Sequence, residues 1–481
     1  MESLNQIKKT KMSEYNLHED RYFDSDPEVR KNAREIYSSI KDLPIISPHG
    51  HVDPKLFAEN KPFPNPTELF LIPDHYLFRM LYSQGIPLES LGIPTTDGTE
   101  VEKDPVKIWQ KFAENYYLFN GTPSGVWLDY EFNKVFGIKE KLDSSNAKKI
   151  YNELNEKINS PVFLPRALYE RFRIEVITTT DAATDTLNYH KAIRESGWKG
   201  RVIPCFRPDA VTDLSLKNWV QNIALLGERV GEEITSYNKF ISALGKRRKY
   251  FKELGASSTD HGVFSPYTNE LGKNEADKIF QKALQGNVTE DDAKQFTAHM
   301  LMEMARLSTD DGLVMQIHPG AYRDHNPVIF QRFGRDKGCD IPVQTDFTFN
   351  LKELLNKYGN NPDFTVIVFT LDETTYSREL APLAGHYPSM KLGPAWWFHD
   401  SIEGITRYRH MVTETAGFYN TVGFNDDTRA FVSIPARHDV ARRVDSNYLG
   451  ELVAKHVISM DDAFIIAKDL TYNLVKKAYK L

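Results

Sequence analysis

Cysteine is almost missing from this sequence: 481 residues carry only Cys205 and Cys339. The two form no CxxC pair, so the chain offers neither a disulfide framework nor a thiolate metal site, and both are expected to be reduced thiols. No apolar run reaches the roughly 18 residues that a membrane span needs. The opening stretch "MESLNQIKKTKMSEYNLHEDRYF" lacks the apolar core of a secretory signal. An excess of one charge is missing too. Lys+Arg 60 against Asp+Glu 66 leaves a net charge of −6, which argues against nucleic acid or an acidic membrane as partner. There is no internal repeat, no low-complexity tract and no Gly-rich phosphate loop after the first apolar run. "NVT" at Asn287 matches a glycosylation acceptor only by chance, and the basic cluster "GKRRKY" around Arg247 is expected to be a solvated helix face. The expectation is a cytoplasmic protein that binds a small molecule, as a monomer or a homo-oligomer.

What is present is ample core-forming material, 41% hydrophobic, distributed in a recurring pattern. Eight short apolar runs, each leading into polar residues, occupy 43–47, 174–180, 200–206, 261–265, 312–318, 364–370, 391–398 and 419–425. The fourth is the weakest. Stretches of helical character separate them, at 209–257, 274–308, 326–357 and 400–417. Thr289 is placed to cap one helix, with Asp292 three residues on. Short apolar runs alternating with helices are the signature of buried parallel strands. Eight of them predict an α/β fold, a (β/α)8 TIM-type barrel with a long helical insertion after strand 1. The expected division is an N-terminal helical segment over 1–42, then the barrel over 43–481, with 52–173 as a helical cap on its mouth.

Barrel enzymes carry their chemistry at the C-terminal ends of the strands. In this chain those ends offer His49 and His51, Asp181, Arg207 and Asp209, His318, Trp396 and Trp397, then Asp427 and Arg429. Asp260 and His261 fall on the N-terminal side of the fourth run. His49 and His51 lie two apart in "IISPHGHVDP", so on an extended strand end both imidazoles face one way and can share a cation. A catalytic divalent site needs three or four N/O ligands, and His318 and Asp427 are the downstream partners. Without cysteine nearby the site is all nitrogen and oxygen, which admits Zn2+, Mn2+ or Fe2+. Asp427, in "FNDDTRAF", can ligate and also carry a proton. Arg429 falls on the same side and can clamp a carboxylate with two hydrogen bonds. Of the tryptophan pair, one ring at most is expected to line the pocket.

Seven ordered stretches resemble the uronate isomerase (glucuronate isomerase) family of the amidohydrolase superfamily. They are "PHGH" at residue 48, "DHYLFRML" at 74, "TTTDAATDTLNYH" at 178, "FRPD" at 206, "MQIHPGAYRDHN" at 315, "GPAWWFHD" at 393 and "VGFNDDTRAFVS" at 422. The resemblance spans about residues 40 to 470. It implies a (β/α)8 enzyme with one divalent metal ion, Zn2+ foremost, that interconverts D-glucuronate with D-fructuronate and D-galacturonate with D-tagaturonate. By position it implies His49, His51 and Asp427 as metal ligands with His318 beside the metal. It implies Tyr76 as a proton donor, and Arg166, Arg429 and Trp396 as substrate contacts. Asp427, His318 and Tyr76 are then the catalytic set.

Two positions depart from the family pattern. Gly50 stands where a cysteine is common between the two histidines, and Val126 stands where a histidine is common. Both bear on which sugar acid is preferred. The alternative readings are a mononuclear hydrolase of the same superfamily, an isomerase of a related sugar acid, or an inactive sugar-acid binder. Binuclear hydrolases of the superfamily commonly supply a strand-four lysine and a strand-six histidine. Neither "DHGVFSP" nor "IVFTLDE" offers one, and the full ligand set argues against a mere binder.

Overall fold

The computed structural model describes residues 15–481. Its centre is one sheet of seven parallel strands: β1 (Ile45–Ser47), β2 (Ile174–Ala182), β3 (Arg201–Arg207), β4 (Ser258–Val263), β5 (Val314–Pro319), β8 (Val366–Val368) and β9 (Met390–Leu392). Strands neighbour one another in chain order, with helices between them. A separate antiparallel hairpin, β6 (Ala321–Tyr322) with β7 (Ile341–Pro342), lies between β5 and β8. The strands are buried almost throughout, which is why they read as continuous apolar runs rather than alternating ones.

Six of the eight expected runs coincide with these strands, and two are corrected. The fourth was expected at 261–265 but runs Ser258–Val263, in register with β5 from Ser258–Val314 to Val263–Pro319. Its sequence, STDHGV, has no apolar run to find, because its inward residues are polar. This correction puts Asp260 in the body of the strand. The eighth run, expected over 419–425, contributes a single parallel bridge, Leu392 to Thr421. Beyond it the backbone turns towards the other edge of the sheet. The His51 N–H donates to the Thr428 carbonyl at 2.9 Å, and Ser47 Oγ donates to the Asp426 carboxylate at 3.1 Å.

The helices begin where the chemistry predicts. Thr289 accepts from the Asp292 N–H while Asp292 reaches back to the Thr289 N–H, a complete capping box for the helix Glu290–Asp311. Asp26 caps Pro27–Ile40, which packs along Ile434–Ala454. That helix falls within the 1–42 segment, of which residues 1–14 lie outside the described residues. Between β1 and β2 the chain forms six α-helices, from Lys55–Glu59 to Pro165–Arg171, with shorter π and 3-10 helices among them. They bury a cluster of aromatic rings: Phe70 and Phe136 lie 5.3 Å apart, and Trp109 and Phe112 5.5 Å.

The basic cluster is not a solvated face. Arg247 and Arg248 are buried, Arg247 donating to the Ala183 carbonyl and Arg248 to both oxygens of Asp311, while Lys246 and Lys249 alone point outward. A guanidinium on an apolar stem can reach across packed helices to orphan carbonyls and carboxylates, so a charge run need not be solvated. Both cysteines are free. Among the described residues no helix is long and apolar enough to cross a membrane.

Candidate active site

A cavity of about 500 Å³ opens at the C-terminal ends of the strands. His51 comes from the loop after β1, Thr180 and Ala182 from β2, Arg207 from β3 with Asp209 just beyond it, and Gly262 from β4. Trp396, Trp397, Asp427 and Arg429 follow the later strands, and Asp74, His75 and Tyr76 enter from the helical region between β1 and β2. Alternation along β2 decides which residues reach it. Thr180 and Ala182 face in, so Asp181 faces out, where Thr179 donates to it at 2.7 Å and His190 lies 3.7 Å away.

The two histidines converge as their spacing predicts. Nε2 of His49 lies 3.5 Å and Nε2 of His51 3.3 Å from the same oxygen, Oδ1 of Asp427. Their rings stand edge to face, with centroids 5.4 Å apart. Burial alone would raise the Asp427 carboxyl, but His49, His51 and His318 more than offset it and hold the group ionised, below the ordinary carboxylate range. Burial likewise lowers His51, against the opposing pull of Asp427. Trp396 Nε1–H donates to the other Asp427 oxygen. Asp427 itself sits at φ 41°, a left-handed conformation that is uncommon outside glycine.

His318 stacks on His49 at 4.7 Å with 22° between the planes, and its Nδ1 is 2.6 Å from Asp260 Oδ1. The second Asp260 oxygen is 3.2 Å from Arg207, which also donates to Asp209 at 2.7 Å. Asp260 is thereby held strongly ionised, against burial, by Arg207 first and His318 next.

The donor atoms of His49, His51 and Asp427 lie within 4.8 Å of one another, and so do those of His49, Asp260 and His318. Asp427 Oδ1 is buried yet accepts no hydrogen bond from the protein. An anionic oxygen buried without a donor is costly, and a divalent ion between two imidazoles would satisfy it. The first set therefore fits one metal ion. At Asp260 the corresponding positive charge is already supplied by Arg207, so the second set is not an equivalent site.

The remaining expected residues divide. Tyr76 lines the cavity, its oxygen accepting from the Phe398 N–H at 3.3 Å, and burial keeps its phenol protonated well above the usual range. Arg429 lines it too, 3.5 Å from Asp336. Both Trp396 and Trp397 line it, not one, because the chain leaves β9 in a loop rather than an alternating strand. Arg166 is corrected. It is not among the lining residues; its Nε donates to the Phe57 carbonyl at 2.8 Å and its guanidinium stacks on Trp198 at 5.1 Å. A guanidinium so occupied braces the helices instead of meeting a ligand.

Neither family departure faces the cavity. A Cβ on Gly50 would meet the backbone of Thr428 at 3.3 Å, and Val126 packs into the core beside Trp127. Missing from the sequence reading are Arg323, 3.0 Å from Asp340, and Arg437, buried 3.6 Å from the Trp127 ring and 2.9 Å from Asp400. Arg323 follows His318 closely enough to have been suspected. Arg437 lies inside a long helix, where nothing in the pattern marks it.

A family model described as glucuronate isomerase matches residues 21–479. The uronate isomerase of Phenylobacterium zucineum is 55% identical over 97% of this chain and 97% of its own length. The crystal structure of glucuronate isomerase from Caulobacter crescentus superposes with a TM-score of 0.95 at 53% identity, covering 97% of each chain. That of uronate isomerase from Thermotoga maritima gives 0.90 at 27% identity, covering 97% of this chain and all, 100%, of the other.

Proposed function

The chain belongs to the glucuronate isomerase family, and from that premise we propose how its cavity interconverts an aldose uronate and its ketose. The substrates are D-glucuronate and D-galacturonate, the products D-fructuronate and D-tagaturonate. The observation that carries the reading is the meeting of His49, His51 and Asp427 at one oxygen, in a cavity that also holds Arg429 and Tyr76.

His49, His51 and Asp427 would hold one divalent ion, Zn2+ foremost with Mn2+ and Fe2+ admissible, and that ion supplies positive charge for the oxyanion that develops as the C2 proton leaves. Arg429 binds the sugar carboxylate through its fork. Asp427, ionised at rest, takes the proton from C2 and returns it to C1 of the enediol, while a second proton moves between the two oxygens. Tyr76, protonated and buried, is the donor for that oxygen proton. Asp260 fixes the tautomer and tilt of His318, which packs against His49. A binuclear hydrolase reading is disfavoured because Arg207 already supplies the positive charge that faces Asp260.

We further assign residues 43–481 to one barrel with 52–173 as its cap. Asp74, His75 and Tyr76 in the cavity wall support the cap, and the bridge at Thr421 with the contacts at Ser47 and His51 supports closure by an eighth strand. The free cysteines support a reducing, cytoplasmic setting.

The test is an NMR assay of metal-loaded enzyme with each uronate in D2O. Appearance of ketose supports the proposal, and no conversion of either sugar with metal bound refutes it. Arg429→Lys is expected to raise KM on the order of tenfold, as a charged hydrogen bond is lost, with metal content unchanged. An unaltered KM and kcat would remove Arg429 from the site. Asp336, paired with Arg429, must give way to the incoming carboxylate. Asp336→Asn is therefore expected to lower KM about two- to fivefold, the scale of a half-exposed ion pair; a higher KM would show that Asp336 contacts substrate instead.

A further inference from the structure

We propose that Asp426, the neighbour of Asp427, is a positioning residue whose buried carboxylate clamps β1 to the strand-eight segment and so brings His49, His51 and Asp427 to one point. The inference rests on the reading that these three residues hold a divalent ion. Asp426 is 1% exposed. Its Oδ2 accepts from Ser47 Oγ at 3.1 Å, and its Oδ1 lies 3.0 Å from His438 Nε2. Its carbonyl accepts from Arg437 at 3.2 Å, and the same Arg437 nitrogen is bound to Asp400 at 2.9 Å. One residue thus joins the end of the sheet to its first strand and to the helix Ile434–Ala454.

The placement of these bonds is what gives them a role in the site. Ser47 is the last residue of β1 and His49 and His51 follow directly on it, so anchoring Ser47 anchors the segment that carries both imidazoles. On the other edge, Asp427 holds a left-handed backbone, its N–H donating to Asn425 Oδ1 at 3.0 Å. A residue in that conformation is held by the contacts around it. Asn425 pins it through that hydrogen bond, and Asp426 pins it through three. The β1 edge carries two of the three donors and the strand-eight edge carries the third. No regular ladder joins β1 to the strand-eight segment, and a backbone hydrogen bond from the His51 N–H to the Thr428 carbonyl at 2.9 Å crosses between them. The Asp426 carboxylate adds a side-chain link to that backbone bond at the level of the metal ligands.

The test uses full-length protein stripped of metal, with Zn2+ as the probe and a chelating dye as competitor, for wild type, Asp426→Asn, Ser47→Ala and His51→Ala. Melting temperatures of the metal-free proteins are measured alongside. Asp426→Asn is expected to raise the Zn2+ dissociation constant about 10- to 100-fold, the usual effect of removing a group that orients metal ligands. Ser47→Ala, which removes one of the bonds, is expected to raise it severalfold. Wild-type dissociation constants in both variants would overturn the proposal, even if the melting temperatures fall, because a purely structural clamp would lower stability without touching affinity. If Asp426→Asn does not fold, Ser47→Ala decides alone. His51→Ala separates this inference from the reading beneath it. Wild-type affinity in His51→Ala sinks the metal site itself, whereas a loss there with no loss in the other two sinks only the role of Asp426.

Discussion

Asp427→Asn should leave a folded enzyme with almost no turnover. Asparagine has the same shape and can still accept from Trp396, so the loop that carries it has no steric reason to move. What disappears is the charge and the basicity. Asp427 is ionised in the cavity because His49, His51 and His318 outweigh the cost of its burial, and an amide answers none of them. An amide also cannot take a proton from carbon. Loss of proton transfer alone is expected to cost about 10²–10⁴-fold in kcat, and weaker metal binding adds to it. The check is kcat at saturating metal together with deuterium exchange at C2 of the substrate. Near-wild-type turnover would mean that another group moves the proton.

His51→Ala should abolish retention of the metal ion, and with it activity. Metal analysis of the wild-type protein is expected to return about one divalent ion per chain. Three N/O donors are the minimum set for such a site, and one of the two imidazoles is removed. His51 is the better probe because its side chain is 26% exposed whereas that of His49 is 2% exposed and stacked on His318, so removing His51 leaves no hole in the packing. A bound ion stabilises the folded state by mass action, about 2.7 kcal/mol at a hundredfold excess over its dissociation constant. The rise in melting temperature that metal gives the wild type is therefore expected to vanish in the variant. A variant that still binds one ion with unchanged affinity would move the site elsewhere.

The site was legible at particular strand ends and not at others, for reasons that can be named. His49, His51, His318 and Asp427 follow apolar runs, and a run that is buried on both faces announces where its polar end must emerge. β4 announces nothing, because STDHGV buries polar groups in pairs: Asp260 against Arg207 and His318, Ser258 against Cys205. Each is satisfied only by a partner on another strand, and sequence order carries no trace of the pairing. Asp181 and Arg166 show the converse error. Both stand at plausible distances from the motifs, yet one falls on the outward side of β2 and the other donates to the carbonyl of Phe57.

The sequence by itself determined the class of molecule and the type of chemistry. Apolar runs separated by helices specify a parallel α/β architecture, and two histidines with an aspartate supply a nitrogen–oxygen donor set, because periodicity and donor chemistry are read residue by residue. Which aspartate is clamped, which arginine faces the cavity and which is spent on backbone carbonyls were decided only by tertiary structure. Those choices depend on which face of a strand turns inward and on partners hundreds of residues away, such as Ser47 for Asp426. A buried charge keeps its place only where such a partner meets it.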